Sequence, residues 1–283
     1  MKAKTLLFSV VCTVLGSVLL LTACSSDAPK QVGNNMASLK LKGDSTIYGL
    51  ACEGCTDSVV VMLPSDDSDP VTYNIIEAKR NGHVLGKLQI GDRIGILRNK
   101  TNKHVADYVI DIDRLRGIWC YIVMPKMRDF EHMSKQLQAK LMNNMSDSLK
   151  ETFLIPREYG FYLKPEWEAQ SVGYVSEANA LADESPVVYP PLSYFTSWQI
   201  WNGKLVMVSG TPHFSNNGPM KVTDVVYDTC NIDYLGEDSL VLSSDGVSRS
   251  YYRKANLNDI NARARAIEAM RSKKALEETK EQN

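Results

Sequence analysis

Two thiols three positions apart, in Cys52-Glu53-Gly54-Cys55, form the tightest group of reactive side chains in this sequence. Such a pair can hold a soft metal such as copper or zinc, close into a small redox disulfide, or staple a loop. A closed zinc site needs four ligands, and neither a second Cys-x-x-Cys nor a His-x₃-His occurs. A dithiol centre of the thioredoxin kind starts a helix, whereas Thr56-Asp57 leads into Ser58–Leu63, a run that reads as strand. The histidines His83, His104, His132 and His213 share no ligand spacing, and there is no Gly-x-Ser-x-Gly elbow. Glu166 with Glu168, and Asp111 with Asp113, read as solvated charges. No catalytic residue is assigned, and the chain reads as a non-enzyme.

A third cysteine has a different chemistry. Lys2 and Lys4 start the chain, an apolar run extends from Leu6 to Leu21, and a small residue precedes Cys24. This is the layout of a secretory signal peptide, not of a membrane-spanning helix. Leu21-Thr22-Ala23-Cys24 resembles the lipobox of bacterial lipoproteins. The resemblance implies removal of residues 1–23, acylation (palmitate among the chains) of Cys24, and anchorage in the cell envelope, at the outer membrane. Residues 24–38 are small and polar and read as a flexible tether.

Export changes what the remaining cysteines can do. Cys52, Cys55, Cys120 and Cys230 could form two disulfides in an oxidising compartment, or stay reduced without oxygen. Removal of Lys2 and Lys4 leaves 30 basic against 33 acidic residues, a net charge of −3. The basic residues are scattered, which excludes the electrostatic footprint of a nucleic-acid binder.

The elements that must position these residues are mainly β. Residues 39–113 carry short strand-like runs separated by turns and read as a small β barrel or sandwich. Residues 114–254 read as a second β unit. Two hairpins stand out there, Ser193–Trp201 with Lys204–Ser209 around Asn202-Gly203, and Ser239–Ser243 with Ser248–Arg253 around Asp245-Gly246. Between them, Val222–Leu235 reads as one bent strand. Phe130, Met133, Leu137, Leu141, Met145, Leu149 and Phe153 recur at helical spacing, so Asp129–Phe153 is expected as one helix of about six turns. Residues 255–283 read as a C-terminal helix with a charged tail.

Gly117-Ile118-Trp119 has the Gly-x-Trp form of the first strand of lipocalins. Together with Tyr159-Gly160-Phe161-Tyr162-Leu163 and Asp238-Ser239-Leu240-Val241-Leu242 it resembles the lipocalin-like domain of lipoproteins from Bacteroidetes. The resemblance covers about 114–254 and implies an antiparallel, roughly eight-stranded barrel, here with an inserted helix. Such a barrel can hold one small ligand or be filled by its own side chains. Trp119, Tyr194, Trp198, Ile200, Leu205 and Met207 are the candidate ligand-lining residues, with Tyr194, Thr196, Trp198 and Ile200 expected on one strand face. Cys52-Glu53-Gly54-Cys55 in a β unit is also similar to the N-terminal barrel of copper-linked envelope-stress lipoproteins. That similarity implies a metal, redox or protein-interaction role at Cys52 and Cys55, with an envelope protein as partner.

Overall fold

Short β-prone runs broken by turn signals pair into two main sheets. The computed structural model describes residues 41–66, 68–175, 186–213, 221–267, 269, 270 and 273. Cys24, the tether, residues 176–185 and 214–220 and the tail beyond 273 lie outside them. All described residues belong to one compact unit, Met36–Asn283.

The first sheet contains β1 (Thr46–Ala51), β2 (Val59–Pro64), β3 (Val71–Asn74), β4 (Val84–Leu85), β5 (Arg93–Arg98) and β6 (Ala106–Asp111). Their order is β3-β2-β1-β5-β6-β4. Only the β4–β6 pair is parallel. A bridge between Asn74 and Val105 curls β3 back toward β6. Ala51, Val60, Met62, Tyr73, Ile94 and Ile96 fill the resulting core. After β3 the chain turns into α1 (Ile76–Arg80), where the Asn74 side chain accepts the Ile76 N–H at 3.0 Å. Within residues 83–90 only the two residues of β4 are strand.

α2 (Ile112–Leu115) connects this sheet to the second, and Asp111 caps it by accepting the Arg114 N–H at 2.8 Å. The second sheet has β7 (Gly117–Val123), β9 (Arg157–Leu163), β10 (Ala169–Val172), β12 (Tyr194–Trp201), β13 (Lys204–His213), β14 (Lys221–Leu235), β15 (Ser239–Ser244) and β16 (Val247–Lys254). Their order is β10-β9-β7-β16-β15-β14-β13-β12, antiparallel throughout. The two ends of the sheet meet at a bridge between Glu168 and Ser197. The expected eight-stranded antiparallel barrel is therefore present and nearly closed. β8 (Lys126–Met127) and β11 (Val187–Val188) form a separate short ladder. Both hairpin turns take the left-handed angles that Asn-Gly and Asp-Gly favour, with φ of 49° and 83° at Asn202-Gly203 and 52° and 78° at Asp245-Gly246.

The barrel core and the first sheet are continuous. Trp119, Phe161, Leu163, Trp198, Ile200 and Leu205 share one buried cluster with Tyr48, Ile110 and Leu115. Polar groups lock the same junction. The Asp44 carboxylate accepts the N–H groups of Thr46 and Asn202, and the Tyr48 hydroxyl donates to the Ile200 carbonyl at 3.2 Å. Burial, with Asp44 nearby, pushes the Tyr48 pKa far above its ordinary value, so the phenol stays a donor. Glu166 and Trp167 both have left-handed φ, 60° and 65°. The buried Trp167 ring explains how that conformation is held, wedged 5.8 Å from Tyr48 and 4.8 Å from Trp198.

The long helix expected over Asp129–Phe153 is instead a 3₁₀ turn (Arg128–His132), α3 (Lys135–Asn144) and α4 (Asp147–Phe153). Ser134 and Ser146 are the cause. Each side chain accepts the N–H three residues on, from Leu137 and Leu149, and so starts a new helix, while Met145 is extended. No residue of α3 is buried. At the C-terminal end, Ile260 is buried on the outer face of the barrel and a helix follows at 262–267.

Candidate binding cleft at the barrel seam

The barrel is weakest where β10 meets β12. Instead of a continuous backbone ladder, the Ser171 hydroxyl is spliced between the strands. Its Oγ donates to the Ser193 carbonyl at 2.5 Å and accepts the Phe195 N–H at 2.7 Å. Beside this seam opens a cleft of about 890 Å³. Its walls are Lys164, Gln170 and Tyr174 on one side, Leu192, Tyr194 and Phe195 on the other, and Thr211 and Pro212 of β13. Phe195 is the link to the interior, packing edge-on against Phe161 at 5.8 Å. Aromatic and aliphatic walls with scattered hydroxyl and amide groups suit a small molecule with an apolar body and a few polar atoms.

Of the residues expected to line a pocket, Tyr194 alone lines this cleft. Trp119, Trp198, Ile200, Leu205 and Met207 are brought together, but as the packed interior of the barrel. A register shift between Phe195 and Ser197 is the reason. The bulge changes the phase of β12, so Phe195 joins Trp198 and Ile200 on the inner face and Tyr194 falls to the other side. The expectation that Tyr194, Thr196, Trp198 and Ile200 share a face is corrected on this point. Simple alternation cannot anticipate a bulge. The adjacent aromatics Tyr194-Phe195, of which strict alternation turns only one inward, are the sequence signal.

Sequence spacing also missed Arg253. Its guanidinium lies across the Trp119 ring, and its N–H groups donate to the carbonyls of Glu237, Arg116 and Arg114. Gly117, at φ 129°, passes beneath it, and a Cβ there would collide with Nη1. Arg253 also reaches a second hollow of about 320 Å³, lined by Asp92, Asp111, Asp113, Arg114, Glu237 and Asp238. Burial is the main cause that pushes Asp111 up to about 6, with Asp92 and Asp113 adding to it and the Arg114 N–H and guanidinium opposing.

Cys52 and Cys55 flank the tip of the β1–β2 hairpin as free, half-buried thiols. Cys55 Sγ accepts the Val61 N–H at 3.4 Å and lies 3.2 Å from the Cys52 carbonyl. Among the described residues, no cluster of three or more His, Cys, Asp or Glu side chains could hold a metal. Cys120 and Cys230 are free too, on opposite faces of the barrel wall: Cys120 packs in the outer cluster with Ile118 and Ile260, and Cys230 packs against the barrel interior. Burial, then the nearby Glu158, pushes the Cys120 thiol up to about 12. Burial also raises Cys230. Both are poor nucleophiles.

No protein-family profile and no curated protein matches the chain. Among solved structures, the chain is similar to a lipocalin-like protein from Bacteroides thetaiotaomicron VPI-5482, at 17% identity and a TM-score of 0.24. That similarity covers 49% of this chain and 94% of that chain. The barrel described above rests on its own strand pairing.

Proposed function

We propose that the protein is a non-enzymatic lipoprotein of the cell envelope, anchored through acyl chains on Cys24, that binds a small, partly apolar molecule in the cleft beside the β10–β12 seam. The observation that carries the reading is a division of labour within the barrel. Its interior is packed with Trp119, Trp198 and Leu205, while among the described residues a cleft of about 890 Å³ with Tyr174, Leu192 and Phe195 in its walls lies open at the seam. The lipobox-like Leu21-Thr22-Ala23-Cys24 supports the anchor. Protein purified from its own organism should release a small molecule into organic solvent in near-stoichiometric amount. Radiolabelled fatty acid should enter the native chain and not a Cys24→Ser variant. An empty extract would remove the binding reading, and unlabelled native protein the anchor, each independently.

A second reading is favoured by the free state of Cys52 and Cys55 at an exposed hairpin tip. There the pair reports metal or redox state in the envelope, or engages a protein partner. Replacing both by Ser should change an envelope-stress response and leave the unfolding transition in place. An unchanged response would exclude this reading.

A further inference from the structure

β14 is 15 residues long, and its two neighbours cover it unevenly. β13 pairs with it from Lys221 to Cys230, whereas β15 pairs only from Asn231 to Leu235. Over residues 221–230, the side of β14 away from β13 therefore carries no strand among the described residues. Val225, Val226 and Tyr227, in the middle of that stretch, are 49%, 50% and 62% exposed. An uncovered strand edge is a row of backbone N–H and C=O groups that templates another strand, and proteins blunt such edges with Pro, Lys or a bulge. Here no proline interrupts β14. The register shift opposite Gly210, with Asp224 at φ 50°, disturbs only the loop end. Val226–Cys230 remain in unbroken register with β13.

We propose that this edge docks a second copy of the chain, β14 against β14, antiparallel about a two-fold axis. The two β13–β14 ribbons then form one four-stranded sheet. The charges select the register. Pairing centred on Val226 sets Asp224 against Asp228 of the partner subunit, and pairing centred on Asp228 sets that carboxylate against its own copy. Pairing centred on Val225 draws the left-handed Asp224 into the new ladder. Centred on Tyr227, the two tyrosines face each other, Val226 faces an aspartate, and Val225 faces a threonine, so no like charges meet. Cys230 packs against the barrel interior. By alternation Tyr227 and Val225 then point to the outer face, where the paired aromatics cover each other. About five residue pairs make a small interface, so the dimer is weak and depends on concentration. The proposal is independent of the cleft.

Sedimentation of the full chain in detergent, over about a hundredfold range of concentration, reads the association directly. The native protein should pass from monomer to dimer. Val226→Lys or Tyr227→Lys should shift the midpoint upward at least tenfold, and Ile122→Lys, an equally exposed apolar site on β7, should not. Hydrogen exchange supplies the second readout. When about two thirds of the chains are paired, the outward-facing amides of residues 225–229 should exchange about threefold more slowly, since only free chains exchange. A native chain that stays monomeric overturns the proposal. So does a dimer that survives both lysine variants, or one that leaves the 225–229 amides unprotected.

Discussion

The guanidinium carbon of Arg253 lies 4.1 Å from the centre of the Trp119 ring. Arg253 is on the last barrel strand and Trp119 on the first, and the two strands pair through Arg253↔Trp119 itself. The same guanidinium satisfies three carbonyls, of Arg114, Arg116 and Glu237, at 2.5–2.6 Å. It thus joins the α2 connector, the β14–β15 turn and the barrel wall with one rigid fork.

Arg253→Met keeps the apolar stem but abandons three acceptors. It should lower stability by about 1–3 kcal/mol, the range for part-buried carbonyls left unpaired together with a lost cation–π contact. Arg253→Lys should recover less than half of that, because an ammonium cannot reproduce the fork. Urea unfolding of the three proteins measures both values.

Asp111 gives a pH signature of opposite sign to the usual carboxylate. Its folded pKa, about 6, stands above the ordinary value of 3.8. The folded state therefore holds its proton more tightly, and stability falls as pH rises between those two values. Asp111→Asn retains the cap on α2 and removes the buried charge. The variant should melt higher than the native protein at pH 7 and should lose the decline between pH 4 and 6.

Glu158 behaves in the ordinary direction. Burial alone would raise its pKa, but hydrogen bonds from Lys254, Tyr252 and the Asn261 N–H outweigh it and hold the carboxyl below its usual range. Its contribution is present above about 4.5 and is lost as pH falls through the lower folded value. Asn261, left-handed and buried, also donates to the carbonyls of Glu158 and Gly173 and accepts the Glu158 N–H. Asn261→Ala should cost about 2–3 kcal/mol, with several buried groups unpaired. Amide exchange at 262–267 should speed up before the barrel strands do.

Much of this fold is legible in the residues. Asn202-Gly203 and Asp245-Gly246 mark their hairpins because few other dipeptides tolerate two positive φ angles, and Gly117-Ile118-Trp119 marks the first barrel strand. What stays hidden has local or long-range causes that periodicity does not carry. Ser134 and Ser146 cut one apparent helix into pieces by capping. A single bulge at Thr196 exchanges Tyr194 for Phe195 on the inner face. Tyr48 joins the barrel core from the first sheet and Leu115 from the α2 connector, contacts no spacing rule reaches. Arg253 is an ordinary strand residue until its partner Trp119, far away in sequence, lies under it.

The split between packed interior and open cleft separates two kinds of variant. Trp198→Ala should destabilise by about 3–5 kcal/mol, the cost of emptying a large buried site. Leu192→Arg, at a half-buried cleft wall, should leave the melting temperature within a few degrees of native.

The central claim, that the seam cleft holds the ligand, is tested most directly by native mass spectrometry of native and Leu192→Arg protein, each purified from the organism of origin. The account predicts a non-covalent adduct on the native chain that is released on unfolding and absent from the variant. A native chain carrying no adduct, or an adduct retained unchanged by Leu192→Arg, would contradict it.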